Sequence, residues 1–342
     1  MNSEAFVIEM PLKAGYAAAG HRLSTRSGII VRVAADGLAG WGEFVEIPGY
    51  SRETVETALA RLSGAPVTHS NPMAIAALRT AELDLEAKQR GVPLTELLGG
   101  EPGPVAAGAV VARFGDLAGT LEEAAGRLAD GYRKIKIKIG PGFDVEVLTA
   151  LRNEHPGIPL AADANGSYQP GAVPPAIDDA GLLYLEQPYP PETPWDAFAR
   201  LRAGLATPIC LDESITGPPT LRAAIAGGAC DIINLKPARF TGLRPARELY
   251  DMAVAAGLGL VAGGLLETGV GRAATAALAR LPGFIFPADL SASDRYWERD
   301  LIDPPWTLTD GNLTVSDGAG IGVEVDTAFL EEVTVSHLSL GS

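Results

Sequence analysis

The stretch that decides the fold runs from Lys134 to Pro237: KIKIKI at 134–139, PLAADAN at 159–165, LLYLEQP at 182–188, PICLDES at 208–214 and DIINLKP at 231–237. Each is a short β-rich run. Between them lie stretches rich in Ala, Leu, Arg and Glu that are long enough for a helix, the alternation of parallel βα units. Working outward adds VAAGAVVA (105–112) before them and LGLVAGG (258–264) and FIFPADL (284–290) after them. The runs recur about every 23–29 residues, and eight such units is the count that closes a (β/α)8-type barrel. An open doubly wound sheet would carry a glycine-rich turn after its first strand, and none stands there.

Five consecutive runs end in an ionisable residue: Lys138, Asp163, Glu186, Asp212 and Lys236. The C-terminal ends of barrel strands are where side chains converge on a site, so five in register point to one constellation. Three carboxylates on adjacent strands would repel one another unless a cation sat among them. All-oxygen ligation suits Mg²⁺ or Mn²⁺, whereas zinc would more often take His or Cys. The four histidines, His21, His69, His155 and His337, fall at none of these strand ends. The two lysines lie four strands apart in a ring of eight and so face each other across the barrel mouth. A lysine crowded by Lys136 or by the metal would have a depressed pKa and could act as a general base. The pattern reads as metal-assisted proton abstraction α to a carboxylate, with the metal steadying the enediolate. Reprotonation on the other face would give racemisation, and expulsion of a β-leaving group would give elimination.

Upstream of the barrel pattern, Phe6–Leu12, Gly28–Ala34 and Leu38–Val45 read as strands, with a turn at Ala35-Asp36-Gly37. Helices are expected at about 51–62 and 70–90, the second closed by Gly91 and Pro93. Its stripe of Ala77, Ala81, Leu85 and Lys88 is expected to face the next domain. The expected organisation is an α+β capping domain at 1–100, a barrel bearing the site at 101–310, and a tail at 311–342 that returns to the capping domain.

The 342 residues are 47% hydrophobic and 20% charged, with 27 basic and 42 acidic side chains and a net charge of −15. That composition supports a sizeable core, and its field repels phosphate backbones and anionic membrane surfaces, so nucleic acid and membrane are not expected as partners. The N-terminal MNSEAFVIEM lacks the features of a signal peptide. The apolar run Met252–Leu266 is shorter than the roughly 18 residues a span needs, and the expected location is cytoplasmic. Cys210 and Cys230 are expected to be buried and without a role.

Those residues carry a resemblance. ELDLEAKQRGVPLTELLGG in the capping domain, with KIKIGPGFD, DAN, EQP, LDES and INLKP in the barrel, resembles the enolase superfamily in its muconate-lactonising subgroup. The superfamily's pairing of a Lys base with Mg²⁺ is a known pattern, so the chemistry above agrees with it rather than standing apart. GGLLETGVGRAATAALARLPGF followed by PADLSASDRYWERDL looks most like the branch of o-succinylbenzoate synthases and N-acylamino acid (N-succinylamino acid) racemases.

The resemblance implies Lys138 and Lys236 as the acid/base pair and Asp163, Glu186 and Asp212 as Mg²⁺ ligands, with Mn²⁺ as substitute. It implies Lys136, Asn165, Glu213, Arg239, Gly264 and Leu265 as substrate-contacting or supporting residues, and a small-molecule carboxylate as substrate. The implied reaction is dehydration of 2-succinyl-6-hydroxy-2,4-cyclohexadiene-1-carboxylate in menaquinone biosynthesis. Arg239 stands where racemase-capable members carry an Arg, so racemisation is the implied companion activity, and a homo-oligomer is the implied assembly. A dedicated racemase, a dipeptide epimerase and a non-catalytic barrel are the alternatives. Asp289-Leu290-Ser291 is not the D-x-D of a dipeptide enzyme, and all five charged strand ends are present. Three segments depart from the branch pattern: the loop Lys13–Ser27, expected to close over substrate, the first-strand GAVVA, and KPARFTGL.

Overall fold

The computed structural model describes residues 2–18, 21–66, 71–112 and 116–340, and the side chains of 14–23 lie outside that description. Strands β1 (Asn2–Ala18), β2 (His21–Ala35) and β3 (Leu38–Val45) form an antiparallel sheet. Asp36 and Gly37, both at left-handed φ, make the β2–β3 turn. Helices α1 (Val55–Leu62) and α2 (Pro72–Arg90) follow, α1 capped by Thr54 and α2 closed by Gly91 in the left-handed conformation. The sheet is completed by the last strand of the chain, Thr334–Leu340, which pairs antiparallel with β1 from Ser3↔Leu340 to Ile8↔Thr334.

The stripe Ala77, Ala81 and Leu85 does not face the barrel, as expected, but packs on β3 within the capping core. The reason is the pair Gly40 and Gly42. A Cβ on either would lie 2.0 Å from the carbonyl oxygen of Ala81 or Ala77, so only glycine lets α2 lie this close to the sheet. The other face of α2, with Leu83 and Ala87, joins the barrel core. Asp84 ties these layers together: it accepts from Trp41 N at 2.8 Å, Lys88 Nζ at 2.9 Å and Ile321 N at 2.7 Å.

Seven parallel strands curl in sequence order to form the barrel: Gly108–Val111, Lys134–Lys138, Leu160–Asp163, Leu185–Glu186, Ile209–Leu211, Ile232–Leu235 and Gly259–Ala262. The eighth run, FIFPADL, is not a regular strand, because Pro287 has no N–H to give to a ladder. It closes the ring through single bridges, Ala288 to Ala107 on one side and Phe284 and Asp289 to Leu260 and Gly263 on the other. The first run is also divided. Val105–Ala106 pairs with Asn312–Leu313 of the Asp310-Gly311 hairpin, and only Gly108–Val111 enters the barrel. After the third strand, Pro174-Pro175 opens a 3-10 turn over Pro175–Ala180 in place of an α-helix.

Within each strand side chains alternate, so Ile135 and Ile137 pack outward with Val147, Leu148 and Leu151 of the following helix. Lys134, Lys136 and Lys138 share the opposite, inward face. Ala161, Tyr184, Cys210, Ile232 and Val261 meet inside the ring. Both cysteines are buried and free. Among the described residues no helix is long and apolar enough to cross a membrane.

Candidate active site

The strand register brings the charged residues to one level. Lys138 pairs with Asp163 and Asp163 with Glu186 across neighbouring strands. Glu186 is level with Cys210, and Asp212, two residues on, keeps the same inward face. Lys236 follows the sixth strand directly and stands on the far side of the ring. Backbone at this rim is contorted: Asn165, Gln187 and Leu266 all have left-handed φ (42°, 37° and 64°), the kind of strain that clusters at functional sites.

Lys138 Nζ lies 2.6 Å from both Asp163 Oδ2 and Asn165 Oδ1. Lys136 Nζ bridges Glu186 (2.9 Å) and Asp289 (2.6 Å), with Asp163 at 3.4 Å. Lys236 Nζ is bound to Asp212 Oδ2 and lies 3.2 Å from the Tyr50 hydroxyl. Arg239 grips Asp212 through Oδ1 at 2.5 Å and its carbonyl at 2.8 Å. Asn165 Nδ2 donates to Glu213 Oε1 at 2.9 Å, and the other Glu213 oxygen is buried without a partner among the described residues. Exposure separates the lysines: the Lys138 side chain is 27% exposed, against 8% for Lys236 and 4% for Lys136, so Lys138 is the one most open to a bound molecule.

Of the eleven residues expected from sequence, Lys136, Lys138, Asp163, Asn165, Lys236, Gly264 and Leu265 line a single cavity. Glu186, Asp212, Glu213 and Arg239 stand behind its wall through the contacts above. Arg26, Ile47 and Tyr50 of the capping domain and Val110, Leu266 and Asp289 of the barrel complete the lining, and none of the six was singled out from sequence as a site residue. Asp289 was discoverable, since it is a charged residue at the end of the eighth run. Arg26 lies within the Lys13–Ser27 segment expected to close over substrate, and the cavity bears out that much of the expectation; Tyr50 had no such signal. Gln187 was missed too: it accepts from the backbone N–H groups of Asp212 (3.0 Å) and Ser214 (3.2 Å) and so locks the fourth strand to the fifth.

The expected loop at Lys13–Ser27 is instead hairpin strand, β1 reaching Ala18 and β2 starting at His21, while residues 19–20 and the side chains of 14–23 lie outside the described residues. The side chain of His21 and all of His69 share that position. His155, at the end of a barrel helix, and His337, on the last strand of the capping sheet, stand away from the cavity.

Electrostatics follow from burial and pairing. Burial would lower the Lys136 and Lys236 ammonium groups, but Asp289 and Glu186 around Lys136, and Asp212 beside Lys236, outweigh it and hold both well above the usual lysine value. Lys236 is therefore raised rather than depressed, because Asp212 has turned onto it. Lys134, wholly buried, goes the other way: burial exceeds the pull of Asp289, and Lys136 adds to the lowering. Burial would raise Asp163 and Asp212 as well, yet Lys138 and Lys136 for the first, and Lys236 and Arg239 for the second, keep them below the ordinary carboxylate range. Glu186 is different. Burial pushes it up to about 7, Lys136 offsets part of this, and Asp163 and Asp212 add to it.

Among the described residues no three acidic, His or Cys side chains gather closely enough to hold an ion as they stand. The donor set nonetheless fits a hard divalent cation. It is all oxygen, it sits on three adjacent strand ends, Glu186 is crowded by two like charges, and one buried Glu213 oxygen has no donor among the described residues.

A family model described as enolase C-terminal domain-like matches residues 119–329, more than half of the chain. The chain belongs to the enolase superfamily. A second model, MenC N-terminal domain, matches residues 2–71. This enolase-superfamily chain is 38% identical to an o-succinylbenzoate synthase of Geobacillus kaustophilus, over 96% of its own length and 94% of the relative's. It is also 38% identical to an N-succinylamino acid racemase of Thermus thermophilus, over 97% and 96%. Among solved structures, an enolase-superfamily member from Listeria innocua superposes with a TM-score of 0.91 at 29% identity, covering 99% of this chain and 98% of that one.

Proposed function

We propose that the protein is an o-succinylbenzoate synthase, which dehydrates 2-succinyl-6-hydroxy-2,4-cyclohexadiene-1-carboxylate, and that the same site racemises N-succinylamino acids. The observation that carries this reading is the pair Lys138 and Lys236 on opposite sides of one cavity, each bound to a strand-end carboxylate. Both reactions begin by removing a proton α to a carboxylate. Relatives of both kinds at equal identity support the pairing of the two activities.

In this reading Asp163, Glu186 and Asp212 hold Mg²⁺, with Mn²⁺ as substitute. The bound ion supplies Lewis-acid stabilisation of charge on the substrate carboxylate. With these carboxylates holding the ion, Lys138, the most exposed of the three rim lysines, would be the amine that meets the substrate. Lys138 takes the ring proton from the carbon bearing the carboxylate. That C–H bond and the neighbouring C–OH bond break, a ring double bond forms between the two carbons, and water is the net loss. Lys236, held by Asp212 and Tyr50, presents a cation to the other face of the ring. With an N-succinylamino acid both lysines exchange protons, one on each face. Arg239 fixes Asp212 and through it Lys236. A small-molecule carboxylate as partner, a homo-oligomeric assembly, a cytoplasmic location and the division into 1–100, 101–310 and 311–342 belong to the same reading.

The test is the Mg²⁺-dependent loss of the cyclohexadiene absorbance. A kcat/KM above about 10⁴ M⁻¹s⁻¹ supports the synthase. A value orders of magnitude lower overturns it, and N-succinylamino acids in D₂O then become the substrates to measure.

A further inference from the structure

The wall of the cavity formed by Gly264, Leu265 and Leu266 is a connection between the seventh barrel strand and the helix Gly269–Ala279. Glu267 folds back so that its Oε2 accepts from Leu265 N at 2.7 Å, which stiffens the connection from within. It is also gripped from the capping domain at two points. Arg26 on β2 donates to Leu265 O at 2.6 Å and to Glu46 O. Glu43 on β3 accepts three hydrogen bonds, from Thr268 N at 2.9 Å, Thr268 Oγ1 at 2.7 Å and Gly271 N at 2.8 Å. Its side chain thus caps a barrel helix from another domain, with Val270 N bound to Thr268 Oγ1 and Gly269 N to Asp300. Gly271 is part of the fit, because a Cβ there would come within 2.8 Å of Glu43 Oε2.

We propose that Glu43 is a positioning residue of the active site: from the capping domain it fixes the Gly264–Leu266 wall against which substrate binds, and so sets substrate affinity without touching the reacting atoms. The geometry leaves no easy substitute. One backbone N–H points at each carboxylate oxygen, so a glutamine must turn its NH₂ onto one of them, donor against donor. Aspartate is one methylene too short to reach.

This inference rests on the proposed reaction for its kinetic arm only. In the Mg²⁺-loaded protein, Glu43→Gln is expected to raise KM for the cyclohexadiene substrate about tenfold and to leave kcat within about twofold, the signature of lost uniform binding. In the substrate-free protein, amide exchange of the 265–271 segment should quicken about tenfold relative to the barrel strands. Thr268→Ser, which keeps the hydroxyl, should match the wild type in both, and Thr268→Val should show the same changes to a smaller degree. If Glu43→Gln does not fold, the two Thr268 variants decide the matter. Unchanged exchange over 265–271, or a fall in kcat at constant KM, overturns the proposal. A protein that turns over no cyclohexadiene in any form refutes the synthase reading, and the exchange measurement still decides the role of Glu43.

Discussion

Replacing Gly263 by alanine tests whether Lys236 works as a proton carrier on its own face of the site. Gly263 directly follows the seventh barrel strand, and its backbone needs no glycine-only conformation, so the effect of a methyl group is purely spatial. A Cβ there would lie 2.6 Å from Lys236 Cε and 2.3 Å from Asn234 Oδ1. Ordinary carbon contacts are about 3.5–4.0 Å, so the lysine stem must retreat by about 1 Å. It has no slack, because the ammonium is bound to Asp212 and lies 3.2 Å from the Tyr50 hydroxyl. A misplacement of about 1 Å costs about 100-fold in rate, whereas overpacking a buried site costs about 1–3 kcal/mol of stability. The expected result is a folded protein, melting a few degrees lower, in which one enantiomer of an N-succinylamino acid exchanges its α-proton in D₂O about 100-fold more slowly. The other enantiomer, served by Lys138, should exchange within about threefold of the wild type. Proton NMR on each enantiomer separately reads both rates. Equal losses for the two, or no loss for either, would refute the assignment of one lysine to each face.

Three further outcomes follow from the same contacts. Lys138→Ala should abolish racemisation and lower the dehydration rate by about 10²–10⁴-fold, with circular dichroism showing an intact fold; retained racemisation would sink the two-lysine scheme. Burial moves Glu43 from an ordinary 4.5 to about 7, against the donors from Thr268 and Gly271 and helped by Glu267. A folded-state pKa above the unfolded value means stability that is full below about 4.5 and lost as pH rises through about 7, so denaturant titrations should show the wild type losing about 3 kcal/mol relative to Glu43→Gln across that window. Gly42→Ala, whose Cβ would sit 2.0 Å from Ala77 O, must push α2 off the sheet, and thermal unfolding should register a loss of about 3 kcal/mol.

The barrel and its rim were legible because both are periodic. A strand repeats its facing every two residues, and the βα unit repeats a strand end after each helix, so Lys138, Asp163, Glu186, Asp212 and Lys236 fell at predictable places. The same regularity explains what escaped. FIFPADL has the composition of a strand, but Pro287 removes a ladder donor, so the ring closes by isolated bridges. The α2 stripe was assigned to the wrong partner because its own periodicity says which residues share a face and nothing of what meets it. Gly40 and Gly42, two strand glycines distant in sequence, decide that contact. The raised Lys236 was not legible for a similar reason: Asp212, the carboxylate that turns onto it, comes from the neighbouring strand.

The least legible residues are those on which discrimination between substrates must depend. Dehydration and racemisation share their first step and would use the same lysines and carboxylates, so nothing at the strand ends can favour one over the other. The difference has to lie in how the cavity walls meet the rest of the molecule. Those walls are Tyr50 and Arg26 from the capping domain and Leu265 and Leu266 from the barrel, joined by contacts such as Arg26 to Leu265 and Glu43 to Thr268. These pairs stand more than two hundred residues apart in the chain and belong to no repeat, so only docking of the two domains brings them together. A change of specificity at constant chemistry therefore needs substitutions at this domain boundary, and substitutions there can leave the rim of five charged residues untouched.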